Sequence, residues 1–426
     1  MIVYWVIGIG LIVLLALNVP VAYAMIGSSL LALLAVGNIP MIVVAQRLWS
    51  GLESFPLLAI PFFILAGNLL NVGGGANAIF SFCMKVLGHI KGGLAYVNVV
   101  ASVIFAGMTG AATADAAGLG AIEIEAMKKN GYSGEFSAAV TAASSIIGPI
   151  IPPSIPFVVY AVMAQVSTGK IFISGILPGL MMAMTMMVVI QVVLKKTKMT
   201  VSKKSTFKEI LISFRKSFLA LLCPVIILGG IFSGVFTPTE AGAVAAVYAL
   251  FLGFVYKGLT WKSIPKILID TMLATAQITF IVAAAGVFGW ILTRFQLPAA
   301  ITGALLSLTS SKIVALLLVS SVLLIMGCFI DALSLVIMMT PVIIPIANAF
   351  GIDLLQMGVI LVVTCMTGLN TPPVGICLYI VSDLAKVPVL RVTKSLIPFY
   401  IATVVSLLLL ILLPELSTYL PQIISF

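Results

Sequence analysis

The sequence predicts an all-α polytopic membrane protein of two inverted-topology repeats, each with a re-entrant helical hairpin and a proline-broken helix. Three observations predict this: the composition, the distribution of basic residues, and a Gly/Pro pattern that occurs twice along the chain. Of 426 residues, 62% are apolar and only 8% charged, with a mean hydropathy of +1.29. Soluble domains carry about 25% charged residues and roughly half apolar ones, so an ordinary soluble fold is excluded. A helix needs roughly 20 apolar residues to cross the hydrocarbon core, and the composition supplies about a dozen such spans. The five cysteines (Cys83, Cys223, Cys328, Cys365 and Cys377) lie in apolar stretches without CxxC spacing and read as packing residues. Residues 1–5 lack a positive n-region and the apolar run continues past Pro20, so the first segment is expected to be a retained span, not a cleaved signal peptide.

Apolar runs end near 18 and 37, then occupy 56–72, 92–127, 134–165, 171–194, 218–234, 239–256, 271–293, 312–349, 354–385 and 395–414. The connection 195–216 holds Lys195, Lys196, Lys198, Lys203, Lys204, Lys208, Arg215 and Lys216 against Glu209 alone, which makes it cytoplasmic. Runs 92–127 and 312–349 are read as hairpins that enter and leave on one side, and every other run as one crossing. Both termini are then periplasmic. Only Arg47, Lys170, Arg294 and Lys312 fall outside, leaving 22 − 4 = 18 basic residues inside. Were both hairpins crossings, the basic loops 128–135 and 257–266 could not both be cytoplasmic. In such a chain the excess of 22 basic over 12 acidic residues reports orientation in a lipid bilayer, and no nucleic-acid partner is expected.

The repeat shows in spacing. Gly148-Pro-Ile-Ile-Pro152-Pro153 is answered by Gly368-Leu-Asn-Thr-Pro372-Pro373, and 368 − 148 = 220. Ala66-Gly67 matches Ala285-Gly286 (285 − 66 = 219), Ala106-Gly107 faces Met326-Gly327 (326 − 106 = 220), and Pro20 corresponds to Pro238 (238 − 20 = 218). The two units are 1–215, with hairpin 92–127 and broken helix 134–165, and 216–426, with hairpin 312–349 and broken helix 354–385. Five crossings plus a hairpin is an odd count, so the second unit is inverted. Inverted repeats are typical of secondary transporters, whose sites lie near the midplane where helices are discontinuous.

The first hairpin turns within GMTGAATADAAG, residues 107–118, which offers Gly107 for a tight turn, hydroxyls at Thr109 and Thr113, and the carboxylate of Asp115. An intramembrane carboxylate costs about 2.5–3.5 kcal/mol on insertion scales, so Asp115 must face protein, water or an ion. Two compatible readings stand: it caps the returning arm, or it supports an ion site. The second hairpin turns near Gly327, Asp331 and Ser334; Asp331 minus 220 falls on Ala111, so the two tips are pseudo-symmetric at best. Pro-Pro at 152 and 372 removes two donors in each helix, and the freed carbonyls must line a cavity or coordinate something. Ser144, Ser145, Gly148 and Ser154 surround the first break, and Thr367, Gly368, Asn370 and Thr371 the second. A tip opposed to a break predicts one Na⁺ cage per repeat, two in all; a proline kink with locally satisfied hydroxyls is the structural alternative. Expected Na⁺ ligands are Gly107, Thr109, Thr113, Asp115, Ser144, Ser145 and Gly148 in the first cage, and Gly327, Asp331, Thr367, Gly368 and Asn370 in the second. Substrate contacts are expected at Pro152, Pro153, Ser154, Ser334, Thr371 and Pro372.

Glu240, three residues after Thr237 with Pro238 between, matches a capping box. Glu123, Glu125, Lys128 and Lys129 are expected to be solvated at the cytoplasmic end of the first hairpin, and His89 is interfacial. There is no GxxxxGK[ST] phosphate loop, HExxH metal site, GxSxG elbow or TVGYG filter, so no enzyme, cofactor or transition metal is expected.

The phrases IPFFILAGN (60–68), GPIIPPSIPFVVY (148–160), GVFTPTEAGA (234–243), MTPVIIP (339–345) and GLNTPPVG (368–375) resemble the large membrane subunit of tripartite ATP-independent periplasmic (TRAP) transporters. The resemblance covers nearly the whole chain. It implies an elevator in the bacterial inner membrane, driven by Na⁺ symport, with a small four-helix membrane subunit and a periplasmic binding protein that delivers an organic acid. The first tip is more similar to sialic-acid-type and sugar-acid-type members than to C4-dicarboxylate ones, so sialic acid is the expected substrate. No Arg falls in either tip or break, so substrate charge would meet helix N-termini, backbone N–H groups and Na⁺. A stand-alone Na⁺/dicarboxylate carrier of related inverted-repeat fold is the alternative, and a channel a third.

Overall fold

The computed structural model describes residues 2–195 and 204–424, in which helices alternate with short connections and no strand occurs. Lys196, Lys198 and Lys203 of the basic connection lie outside the described residues. The first half begins with α1 (Ile2–Ala16), α2 (Val21–Val36) and α3 (Ile42–Ser50), then a 3₁₀ turn (Phe55–Leu58) that feeds α4 (Ala59–Val72), and α5 (Gly75–Leu87). Next come α6 (Gly93–Thr109), α7 (Ala112–Ala117) and α8 (Leu119–Lys129), the first helix–turn–helix, and the discontinuous pair α9 (Gly134–Ser145) and α10 (Ile155–Ala164). Helices α11 (Thr168–Ser174) and α12 (Ile176–Leu194) close this half. The second half runs α13 (Phe207–Phe232), α14 (Pro238–Val255), α15 (Ile264–Arg294) and α16 (Leu297–Leu308). It continues with the hairpin α17 (Lys312–Gly327) and α18 (Ala332–Ala349), the discontinuous pair α19 (Leu354–Gly368) and α20 (Ile376–Ala385), and then α21 (Val389–Leu412) and α22 (Glu415–Ile423). The order recurs: α17 starts 312 − 93 = 219 residues after α6, α19 starts 354 − 134 = 220 after α9, and α20 starts 376 − 155 = 221 after α10.

Local chemistry accounts for the starts. Ser133 Oγ accepts from Phe136 N at α9, Asp353 accepts from the N–H groups of Leu355 and Gln356 at α19, and Thr237 with Glu240 forms a full capping box on α14 behind Pro238. The stops are set by proline, though in the first half not by the pair that stands out in the sequence. A proline at position i cannot donate to the carbonyl at i−4. Helix α19 ends at Gly368, four residues before Pro372, whereas α9 ends at Ser145, four residues before Pro149. Pro149, not Pro152, therefore terminates the first half-helix. Both Pro152–Pro153 and Pro372–Pro373 bonds are cis.

Two groups of helices result. In one, α4 packs along α14, α1 along α2, α13 along α5 and α14, and α15 along α2, α3 and α4. The other gathers both hairpins and both discontinuous helices, with an exchange between halves: α20 lies against α7, α8 and α9, while α10 lies against α18 and α19. Among the described residues seven helices, counting the 3₁₀ turn with α4 and α11 with α12, are long and apolar enough to cross a membrane; α18, an arm of the second hairpin, is among them.

Contacts between helix ends sort the connections into two faces. At one face Lys91 Nζ donates to Lys195 O (3.2 Å), Lys128 Nζ to Ala385 O (2.8 Å) and Tyr256 Oη to Lys216 O (3.0 Å), and Arg391 pairs with Glu135 (3.7 Å). At the other, Tyr4 Oη donates to Phe295 O (2.8 Å), Tyr160 Oη to Leu354 O (2.6 Å) and Thr239 Oγ1 to Phe55 O (3.4 Å), and Arg47 stacks over Trp290. Each contact joins two segments that the charge pattern assigns to one side.

Candidate functional site

Both hairpin turns meet the gaps in the discontinuous helices. The first turn is made by Gly110, whose φ of +62° lies in the left-handed region where a Cβ is strained. A Cβ there would also stand 2.5 Å from Pro153 O. Gly110 O accepts from Ile155 N (3.4 Å), tying tip to break. In the second half Cys328 O accepts from Val374 N (3.2 Å), the same tie displaced by 374 − 155 = 219 and 328 − 110 = 218 residues. Gly327 and Gly368 touch there, since a Cβ on Gly368 would fall 2.5 Å from Gly327 O.

The side chains at the two joints behave differently. Asp115 lies inside α7, and the N-cap is Ala111, which offers no side-chain bond, so the capping reading does not hold. Asp115 Oδ1 accepts from Thr109 Oγ1 (2.5 Å), while Oδ2 is buried, without a partner, and directed at the backbone of Gly148 in the first break. Thr109 in turn rests on Gly67 of α4. Asp331 is the residue that caps: its Oδ2 accepts from the N–H and hydroxyl of Ser334 at the start of α18 (3.1 and 3.3 Å), and it is half-buried.

Asn370 belongs to the second break yet reaches the first half. Its Nδ2 donates to Ala142 O (2.6 Å), its carbonyl accepts from Tyr400 Oη (2.5 Å), and its Oδ1 is buried and unpartnered. Ser145 Oγ donates to the same Ala142 carbonyl (2.9 Å), and Cys377 is buried on α20, which packs on α7 and α9. Residues of the two breaks thus meet on one carbonyl at the junction of the halves. Buried carboxylate and amide oxygens without donors, beside carbonyls freed by proline, are hard ligands suited to an alkali cation. Among the described residues no three His, Cys, Asp or Glu side chains converge as a transition-metal site would require.

The remaining expected residues divide clearly. Ser144 Oγ donates to Asn98 Oδ1 (2.7 Å) and Thr141 O, and Asn98 Nδ2 donates to Thr141 Oγ1 (2.7 Å), a network that rivets α6 to α9. Thr367 and Thr371 donate to carbonyls one turn back, which leaves lone pairs open. Thr113 is half-buried at the first turn, and Gly107 packs on Pro224 of α13. Pro152, Pro153 and Ser154 are fully buried; Ser154 Oγ accepts from Phe157 N as the cap of α10 and donates to Pro149 O. Ser154 is therefore the cap of α10, with its hydroxyl engaged on both sides of the first break. Ser334 is buried in the Asp331 cap, whereas Thr371 and Pro372 are half-exposed beside exposed Pro373 and Val374. Glu123 is 1% exposed, which overturns the expectation that it is solvated. Its stripe, Leu119-Glu123-Met127 at helical spacing beside buried Ile124, could have revealed this; Tyr400, Asn98 and Cys377 carry no comparable signal.

Hairpin tips bonded to the gaps of two discontinuous helices, in a chain with repeated membrane-competent spans, define a membrane permease of the broken-helix kind. The chain matches, over residues 9–416, the family described as "Tripartite ATP-independent periplasmic transporter, DctM component", and it belongs to that family. It is 40% identical over 411 residues to the sialic acid TRAP transporter large permease protein SiaM of Vibrio cholerae, covering 96% of both chains. It is 39% identical over 379 residues to the C4-dicarboxylate TRAP transporter large permease protein DctM of Pseudomonas aeruginosa, covering 89% of each. The fold is shared with the solved YdaH transporter of Alcanivorax borkumensis at a TM-score of 0.63 and 14% identity, over 87% of this chain and 88% of that one. The chain is thus a transporter permease component and not an enzyme.

Proposed function

We propose that this chain carries an organic acid, sialic acid foremost, across the bacterial inner membrane in symport with Na⁺, as the large membrane subunit of a tripartite assembly. A periplasmic binding protein delivers the substrate, and a small four-helix membrane subunit completes the complex. The observation that carries the Na⁺ reading is the pair of buried, unpartnered oxygens, Asp115 Oδ2 and Asn370 Oδ1, where tips and breaks meet. Two coupling sites follow, one centred on Asp115 with Thr109 and the Gly148 backbone, the other near Asn370 with Gly327, Thr367 and Gly368. The more open second break, with Thr371 and Pro372, is the side on which substrate binds.

The matching tip-to-break ties and the two faces of paired connections support inverted repeats, with the basic face cytoplasmic and both termini periplasmic. The grouping of helices supports an elevator in which hairpins and broken helices move against the α4–α14 group. Sialic acid is supported by the Vibrio cholerae relative and by the tip GMTGAATADAAG.

The test is uptake of labelled sialic acid into proteoliposomes that hold this chain and its small subunit, with and without a Na⁺ gradient and the binding protein. Uptake that needs both, without ATP, is the expected outcome. Gradient-driven uptake without a binding protein would assign a stand-alone carrier, and uptake of a labelled C4-dicarboxylate but not of labelled sialic acid would change the substrate.

A further inference from the structure

Glu123 and Glu125 stand two residues apart on α8 in opposite surroundings. Glu125 is exposed and pairs with Lys129. Glu123 points inward on the stripe with Leu119 and Met127 and accepts no hydrogen bond; its Oε1 is buried and unpartnered, and no cation lies within ion-pair distance. Five elements pack on α8, namely α5, α6, α7, α9 and α20. Cys83 of α5 and Asp115 of α7 interact electrostatically with Glu123; the other ionisable side chains on these elements are Lys85 of α5, Tyr96 of α6, Glu135 of α9, and Cys377, Tyr379 and Asp383 of α20, and among the described residues none is hydrogen-bonded or ion-paired with Glu123. A thiol and a second acid supply no positive charge.

A bare carboxylate in such surroundings is far costlier than a neutral group, so it binds either a proton or a metal cation. The surroundings decide between the two. Na⁺ requires several hard oxygens, as the Asp115 region offers, but Glu123 is flanked one turn either side along α8 by buried Leu119 and Met127, which are apolar or soft. The other unpartnered oxygen along this arm, Asn71 Oδ1, is seated against Gly118, five residues nearer the tip. We propose that Glu123 is a proton-binding site carried by the first hairpin, separate from the tip. The proton is held at low pH and lost as pH rises, and its loss leaves an uncompensated charge between α8 and α5. The hairpin's packing, and with it transport, then depends on pH at a point eight residues along the same arm from Asp115.

The direct test is infrared spectroscopy of the purified chain in lipid nanodiscs, which is independent of substrate and of Na⁺ coupling. Wild type is expected to show a protonated-carboxyl C=O band that titrates away at alkaline pH and is missing from Glu123→Gln. An unchanged band in Glu123→Gln overturns the proposal. If Glu123→Gln does not fold, Glu123→Asp keeps the acid and should shift the band, and an unmoved band counts against the assignment. In proteoliposomes wild-type uptake should fall toward about tenfold per pH unit on the alkaline side, and Glu123→Gln by less than about twofold over the same range. Superimposable pH profiles would overturn it. An absence of uptake in both would instead count against the transport reading, since the infrared band does not depend on it.

Discussion

The two tip-to-break joints share a backbone and differ in chemistry. Each is closed by one N–H···O=C bond from the far side of a Pro-Pro pair to the hairpin turn, 218–219 residues apart. Around the first joint the tip from Phe105 to Gly110 and every residue of 146–155 are buried, and its acid keeps an oxygen without a donor. Around the second, Phe329 is 63% and Val374 43% exposed, and its acid is consumed in capping α18. Duplicated glycines and prolines thus reproduce a scaffold without reproducing a site. The geometry is set by residues that lack a side chain or a donor, and the ligands are left free to diverge.

The largest expected effect separates the two acids. Asp115→Asn should lower apparent Na⁺ affinity in uptake about a hundredfold, since a lost charged ligand is worth about 3 kcal/mol. Asp331→Asn keeps an N-cap residue and should change it little. Equal losses would abolish the distinction drawn between the joints. Accessibility comes next: with the native cysteines replaced, Val374→Cys should react with an impermeant thiol reagent about tenfold faster than Ile151→Cys in the first break. Similar rates would mean that both breaks open. The shared backbone should respond equally at both joints. Gly110→Ala and Gly368→Ala each drive a methyl within 2.5 Å of backbone oxygen and should cost about 1–3 kcal/mol in thermal unfolding, whereas Gly303→Ala, with open space around it, should not. The smallest effect is Thr237→Ala, about 1 kcal/mol of stability with Na⁺ dependence intact; a change in that dependence would mean that the capping box does more than start α14.

Gly and Pro act within a turn of their own position, which is why hairpin turns and helix gaps were legible in the sequence. Pro149 was not, because the adjacent pair at 152 and 153 draws attention away from the rule that the first missing donor ends a helix. Glu123 was misread for a related reason: Glu125, Lys128 and Lys129 give the segment a charged character, while the helical phase turns Glu123 inward. The roles of the two acids follow from where each helix begins, at Ala112 in one hairpin and at Ala332, just after Asp331, in the other. Asn370 meeting Ala142, and Tyr400 meeting Asn370, join segments far apart in the chain, and no local pattern encodes them.

The exchange of half-helices has a consequence for biosynthesis. Helix α10 finds its resting surface on α18, whose first residue is made 332 − 155 = 177 residues after α10 begins. At synthesis rates of about 5–20 residues per second, α10 waits many seconds in the bilayer before that surface exists. The first gap is tied to its own tip through Ile155 and Gly110, but the face of α10 that meets α18 stays uncovered until the second hairpin is made.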